Sequence, residues 1–402
     1  MISYEDIRNL ATENGVAEQI IKKNYIIGWV LWGIGQDPDL KDEWIFKGGT
    51  CIKKCYRETH RFSEDLDFTV LQDGLYKPDD ILPIINRVLE RVREESGINF
   101  SSRPVMLKQW DFPYYTEGRI YYQGPKTTPS PASIKIDLLA SEKMVLPPVI
   151  RNIAHGYTDD LPEAAVVNCY CLEEIFAEKI RAMGERGMPR DLYDIIFLFR
   201  EGVYEKQHEK IKNTLIAKCK TKGIPVPDIE SIKKSPFIDE LKSEWANMLG
   251  HQLPALPPFE EYWQDLPGLF DWLNGKHEPK KLPEVPSSVG STIWQPTTLN
   301  WDEWRGKPLE LIRFAAINHL CVELGYNRSK RLIEPYSLRQ SSEGNIVLCA
   351  IKHQSKESRM YRVDRIESVK LTSMTFTPIY RIEFPQIGVI FAPEIKRRKK
   401  YT

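Results

Sequence analysis

The sequence has no CxxC pair, no histidine cluster, no excess of charge and no internal repeat. Its cysteines are Cys51, Cys55, Cys169, Cys171, Cys219, Cys321 and Cys349, an odd number. The tightest spacings, Cys51-x3-Cys55 and Cys169-x-Cys171, are poor for zinc. With no secretory leader in MISYEDIRNLATENG, the expectation is reduced thiols in a cytoplasmic protein, none of them a ligand or nucleophile. No apolar run reaches the ~20 residues of a membrane span, so no membrane is expected as a partner. Lys and Arg total 56, and so do Asp and Glu. Overall charge therefore nominates no partner, but its distribution does. From residue 301 onward 19 basic residues stand against 11 acidic ones, leaving 37 against 45 in the first 300. A basic end on an acidic body suits a polyanion.

What is present fills about two or three domains, with an ordinary 42% of hydrophobic residues over 402 positions. Residues 1–36 read as helical, Ser3 and Asp6 forming a variant capping box. A helix is expected over Asp79–Glu94, with Ile81, Ile84, Ile85, Val88, Leu89 and Val92 on one side. Strands are expected at Leu66–Leu71 and near 103–108, 118–123 and 133–140, and helices over Leu172–Arg186 and Asp191–Arg200. Helical segments continue to about Leu273. Residues 276–300, rich in Pro and Ser, read as a linker. Beyond it Pro308–Leu324 reads as one helix, and 331–391 as short strands forming a small barrel or sheet.

The chemistry gathers around Phe46-Lys47-Gly48-Gly49-Thr50 and Arg61-Phe62-Ser63-Glu64-Asp65-Leu66-Asp67-Phe68. Glycine lets a backbone approach phosphate oxygens closely, and a helix starting at Thr50 has free N–H groups for an anion. Asp65 and Asp67 lie two apart in a strand and share a face. Such carboxylates repel each other unless a cation sits between them, and Mg²⁺ favours oxygen ligands. Alone, Asp-x-Asp describes the polar face of many strands. Ser133-Ile134-Lys135-Ile136-Asp137-Leu138-Leu139 adds a third acid, Asp137, opposite an apolar face. Lys179 lies at the edge of an apolar helix stripe, suited to snorkelling or to a phosphate. Asp191 can cap the helix that follows, and Asp194 lies one turn on.

Lys47-Gly-Gly-Thr50, Arg61-x-Ser63-x-Asp65-Leu-Asp67-Phe68, Ile136-Asp137, Glu174-x3-Glu178-Lys179 and Arg190-Asp191-Leu-Tyr193-Asp194 follow one another in that order. Together they resemble the AbiEii-type nucleotidyltransferases, over roughly residues 20–275. The resemblance implies an α+β fold, a polymerase-β-like core (about 20–200) with a helical part to 275. It implies a toxin of a type IV toxin–antitoxin or abortive-infection system, with an antitoxin as partner. The implied reaction is metal-dependent transfer of a nucleotide from an NTP to the 3′ end of tRNA. By motif, Lys47, Gly48, Gly49, Thr50, Ser63 and Lys179 would bind nucleotide. Asp65, Asp67 and Asp137 would hold Mg²⁺ or Mn²⁺, and either Asp191 or Asp194 would complete the catalytic set. The fourteen residues between Thr50 and Asp65 are a longer gap than the superfamily's usual pattern.

Ile333–Arg339, Gly344–Ala350 and Arg359–Ile366 resemble a WYL domain, a small SH3/Sm-like β-barrel, over about 305–375. Val347-Leu348-Cys349 replaces the tripeptide that names the domain. Such domains sense nucleic acids or nucleotides. Tyr336, Arg339, His353, Arg359, Tyr361, Arg362 and Arg365 mix cations with aromatic surface as that would require, with Arg359, Tyr361 and Arg365 on one strand face. Residues 301–402 thus read as this domain with a basic tail, Lys396–Lys400. Rival readings are a regulator that binds NTP without turnover, and a transferase acting on a protein or small molecule.

Overall fold

The computed structural model describes residues 1–71, 74–110, 114–124, 131–162, 165–201, 207–276, 282–294 and 309–384. The basic tail at Lys396–Lys400 lies outside them. The described chain divides into two compact units. The first takes Met1–Ala11, Val16–Leu253 and Tyr262 onward to the described end at 276; the second takes Thr12–Gly15, Pro254–Glu261 and the described residues from 282.

The first unit is built on a seven-stranded mixed sheet: β1 (Trp44–Lys47), β2 (Asp65–Val70), β3 (Met106–Trp110), β4 (Tyr115–Tyr122), β5 (Ala132–Leu139), β6 (Val149–Asn152) and β7 (Val166–Cys169). Their spatial order is β3-β4-β5-β2-β1-β7-β6. β2 runs parallel to β5 and β1 parallel to β7; the other neighbours are antiparallel. In β5 the alternation is complete, with Ile134, Ile136 and Leu138 fully buried. One face of the sheet is thus committed to the core and the other is free for polar groups.

Helices α1 (Tyr4–Asn14) and α2 (Glu18–Gln36) open the chain. The capping box forms, Ser3 N donating to Asp6 and Asp6 N to Ser3 Oγ. α2 is buried on nearly every side, from Ile20 to Ile34, as a helix apolar all round must be. A single turn, α3 (Gly48–Cys51), continues as a π-helical segment, Ile52–Tyr56. α4 (Pro78–Ser96) buries the expected apolar stripe. α5 (Leu172–Arg186) and α6 (Pro189–Arg200) follow the sheet, then α7 (His208–Lys222), α8 (Ile229–Lys233), α9 (Ile238–Ser243), α10 (Trp245–Leu249) and α11 (Phe259–Leu273).

The second unit has β8 (Thr292–Ile293), α12 (Leu309–Ile317), β9 (Leu320–Tyr326), β10 (Ser329–Gln340), β11 (Ile346–Lys352), β12 (Ser358–Arg362) and β13 (Ile366–Thr375). They form an antiparallel sheet in the order β12-β11-β10-β9-β13, with β8 also on β10. Three expectations change here. The sheet is open rather than a closed barrel among the described residues, with β12 and β13 at its edges. The helix expected over Pro308–Leu324 stops at Ile317, because His319 takes a left-handed φ of 56° and Leu320–Tyr326 becomes an interior strand. The stretch read as a linker is partly anchored: Val285 is buried with Tyr336, Cys349 and Phe376, and Trp294 N donates to Leu338 O at 2.9 Å. Val285 and Trp294 find a core, which the Pro and Ser content of the stretch concealed, while Val289 and Ile293 stay exposed.

In the first unit Phe68 is fully buried, its ring 5.5 Å from that of Trp44 and 5.3 Å from that of Phe46. Phe68→Ala should therefore cost ~3–5 kcal/mol of stability, read as a lowered urea midpoint. A loss below ~1 kcal/mol would refute this placement of the core.

Candidate active site

The site begins with strand register. Parallel pairing of β2 with β5 sets Asp65 opposite Lys135 and Asp67 opposite Asp137. β4 sets Glu117 opposite Asp137, and β1 sets Lys47 opposite Asp67. Cross-strand partners share a face, so this face carries a concentration of carboxylates at the middle of the sheet. Burial, then the charges of Asp65 and Asp137, push the Asp67 carboxyl up to about 6. Burial raises that of Asp65 as well. Asp137 is engaged: Lys135 Nζ stands 2.8 Å from it and the Tyr115 hydroxyl donates to it.

This donor set fits a hard divalent cation, which would offset the burial and the neighbouring negative charge that together raise the Asp67 carboxyl. Asp137 would have to turn from Lys135 to join it. Among the described residues, the acid, thiol and imidazole groups whose donor atoms already lie within 4.8 Å of one another are elsewhere: Cys51, Cys55 and Cys169, and Cys321, Glu334 and His353. Cysteine spacing alone did not anticipate that these thiols converge. Sequence distance hid both convergences.

The glycine turn is shaped by its neighbours. Gly48 has φ 80°, and a Cβ there would come within 2.3 Å of Asp67 Oδ2. A Cβ on Gly49 would come within 2.7 Å of Arg61 Nη2 and 3.2 Å of Ser63 Oγ. Any side chain would thus displace Asp67, or Arg61 and Ser63. Thr50 departs from its expected role. It is fully buried, and its hydroxyl donates to Asp65 O at 2.6 Å, pinning the start of β2 instead of facing a phosphate.

Lys47 also departs. Its amine is buried against Glu142 and Glu178, 3.3 Å from the latter. Burial alone would lower its pKa; the two carboxylates outweigh that and hold it well above the usual value. Lys218 joins the same network at 3.1 Å from Glu178 and 2.9 Å from Glu174. Glu174 in turn accepts from the backbone of Val145 and Leu146.

Lys179 anchors a second network. Its amine lies 3.2 Å from Asp191 and 2.8 Å from Asp194, both fully buried. Arg61 grips Asp194 through two hydrogen bonds at 2.7 and 2.8 Å, and Arg186 holds Asp191 at 2.9 Å. Despite burial, Arg61 and Lys179 hold Asp194 well below the usual carboxylate range. Asp191 does not cap α6: the cap position is Met188, and the acid turns to the cations instead. Asp191 and Asp194 are thus both tied to Lys179, and neither faces solvent.

Sequence reasoning gave no role to Arg61 or Glu178, although both lie in motifs already singled out. Lys135 and Glu117 were findable from strand alternation around Asp137. Tyr115, Glu142 and Lys218 had no local signal, because their partners lie 22 to 95 residues away, whereas Arg186 lies only five from Asp191 and was missed.

In the second unit the predicted surface divides. Tyr336 and Tyr361 are buried, and Arg339 is buried against Glu383. His353 turns inward, 2.8 Å from Glu334 and 3.2 Å from Cys321 Sγ. Arg359 and Arg362 remain open, paired with Glu357 and Asp364. β12 ends at Arg362, so Arg365 falls in a 3-10 turn and not on the face shared by Arg359 and Tyr361.

An acid pair on a strand, a tight glycine turn beside it and a third acid on the next parallel strand define the class: this is a nucleotidyltransferase. The chain belongs to the AbiEii toxin family of type IV toxin–antitoxin systems, whose nucleotidyl transferase pattern matches residues 29–265. Residues 308–371 match the WYL domain. Among solved structures, the nucleotidyltransferase toxin MenT4 of Mycobacterium tuberculosis H37Rv is 16% identical. That match covers 68% of this chain and 90% of MenT4, with a TM-score of 0.49. No curated protein matches the chain. No described helix is long and apolar enough to cross a membrane.

The raised Asp67 carboxyl gives a signed prediction. The folded state binds this proton more tightly than the unfolded state does. That stabilisation is complete below about pH 3.8 and is lost as pH rises through about 6. In chelator-treated protein Asp67→Asn should therefore raise stability by ~1–3 kcal/mol at pH 8 and change little near pH 4, by urea denaturation. Destabilisation at pH 8 would overturn the assignment of charge repulsion.

Proposed function

We propose that this chain transfers a nucleoside monophosphate from an NTP to the 3′-terminal hydroxyl of tRNA, acting as a toxin in the cytoplasm. The observation that carries the reading is Asp67 facing Asp137 across parallel strands, with Asp65 on the same face. Asp65, Asp67 and Asp137 would hold Mg²⁺ or Mn²⁺. A metal bound there supplies positive charge to the triphosphate and the acceptor oxygen. The acceptor oxygen bonds to the α-phosphorus, the α–β anhydride bond breaks, and its electron pair leaves with pyrophosphate. The hydroxyl proton passes to solvent or a site carboxylate.

The chain's own residues divide the remaining work. Gly48, Gly49 and Ser63 form the close wall for the triphosphate. Lys179, kept charged by Asp191 and Asp194, supplies a fixed cation to its phosphates. Asp191 and Asp194 act through Lys179 and Arg61 as positioning residues. Lys47 and Thr50 hold β1 and β2 in place. Two modules, 1–275 and 301–402, divide catalysis from recognition, with Arg359, Arg362 and Arg365 offering phosphate contacts in the second. A cognate antitoxin is the expected protein partner.

One observation favours a second reading. Asp137 is held by Lys135 and Tyr115, as in a site that binds NTP without turning over. A single assay separates the two. Labelled NTPs, Mg²⁺ and total tRNA should give labelled tRNA, and Asp67→Ala should reduce the rate by at least ~100-fold. NTP binding without transfer would support the regulator. Transfer to protein or a small molecule alone would exclude tRNA as acceptor. Undiminished transfer by Asp67→Ala would remove the acid pair from the chemistry.

The second unit yields its own test. Arg359→Ala should weaken tRNA binding and lower the salt slope by about 1. An unchanged slope would exclude this surface.

A further inference from the structure

Three thiols distant in sequence meet in the first unit. Cys51 ends α3, Cys55 lies four residues on in the π-helical segment, and Cys169 ends β7. Their sulfur atoms all lie within 4.8 Å of one another. The convergence has a simple topological cause. Residues four apart on a helix project to one side. β7 runs parallel to β1 with Cys169 in register with Phe46, which places it beside the helical turn that leaves β1.

Burial pushes the Cys51 and Cys55 thiols well above the usual range, so a bound metal would have to displace their protons. Hydrogen bonds from Cys51 and Cys55 hold the Cys169 thiol well below its usual pKa, and the Arg151 charge adds to this. Lys54 lies beside Cys55, but burial lowers its own amine to about 7. The Tyr56 hydroxyl, 3.7 Å from Cys169 Sγ, already donates to Tyr170 O at 2.6 Å. Cys51 and Cys169 are buried, whereas Cys55 is half-buried and gives an entry side.

We infer that Cys51, Cys55 and Cys169 form a three-thiolate site for one soft metal ion, Zn²⁺ or Cu⁺. Metal–sulfur bonds of ~2.3 Å separate the sulfurs by ~3.8–4.0 Å, so side-chain rotation of less than ~1 Å closes the observed set. Hard cations such as Mg²⁺ and Ca²⁺ find no oxygen donors in it. A disulfide uses only two of the three sulfurs; a metal uses all three. The ion would tie the segment after Gly48-Gly49-Thr50 to β7, behind the glycine turn and separate from the carboxylate face. It is a clip in the fold, not part of the transfer chemistry.

The test uses the full chain, reduced and stripped with chelator. One arm titrates Co²⁺ as a spectroscopic stand-in for Zn²⁺; the other titrates Cu⁺ against a chromophoric competitor. The expected result in at least one arm is saturation at one ion per chain. With Co²⁺ this brings an intense thiolate-to-cobalt absorption in the near ultraviolet. Cys169→Ser and Cys55→Ser should each weaken binding by at least ~10–100-fold. Cys321→Ser, which removes the thiol of the other convergent donor set, should leave it unchanged. The half-buried Cys55 variant keeps the test decisive if Cys169→Ser fails to fold. The arm with the tighter competition constant identifies the ion. Binding in neither arm, binding that survives both variants, or a disulfide among these cysteines in freshly isolated protein would each overturn the proposal.

Discussion

Asp67 and Asp137 face each other where β2 and β5 run side by side, and much of the first unit accommodates the repulsion between them. Gly48 gives up a side chain and adopts a left-handed φ so that the Asp67 carboxylate can lie against its Cα. Lys135 and Tyr115 draw Asp137 aside. Thr50 fixes the carbonyl of Asp65 and so the first residue of β2. A sheet selected for stability alone would place a cation or a hydrophobe at one of these positions. Keeping carboxylates at both is a cost that a divalent ion would cancel.

Two charge-balanced networks adjoin these acids, close enough for Lys47 and Lys179 to act on Asp67. In one, Lys179 stands between Asp191 and Asp194, with Arg61 and Arg186 closing the ends. In the other, Lys47 and Lys218 stand among Glu142, Glu174 and Glu178. Removing one member of such a set would strand a buried charge and cost several kcal/mol, far more than a surface pair would. The contrast is one of pairing: the cations of both networks have carboxylate partners, whereas burial and the neighbouring acids raise the Asp67 carboxyl.

The sequence revealed whatever depends on local period or order. β5 declared itself by alternation, α4 by its apolar stripe, and the acid pair by its spacing of two. Motif order supplied the family. What stayed hidden depends on contacts between distant residues. Lys47 read as a phosphate ligand because nothing near it announces Glu142. Arg339 and Tyr336 read as surface because their burial partners, Glu383 and Phe376, lie some forty residues on. The cysteines read as inert for the same reason. The long helix expected at 308–324 failed locally: its second half, Leu320-Cys321-Val322, is as apolar as a helix core, and only the turn at His319 gives it to a sheet.

The pairing of β2 with β5 also fixes how this enzyme can change. Side chains in a strand have two settings, in or out, and nothing between. A substitution at Asp137 adjusts one group and leaves the frame intact. Deleting one residue early in β5 would instead transpose the whole strand, turning Ile136 and Leu138 outward and Asp137 inward in their place. A length change of two keeps the faces but slides Asp137 out of register with Asp67. The acid face thus depends on both the parity and the register of β5.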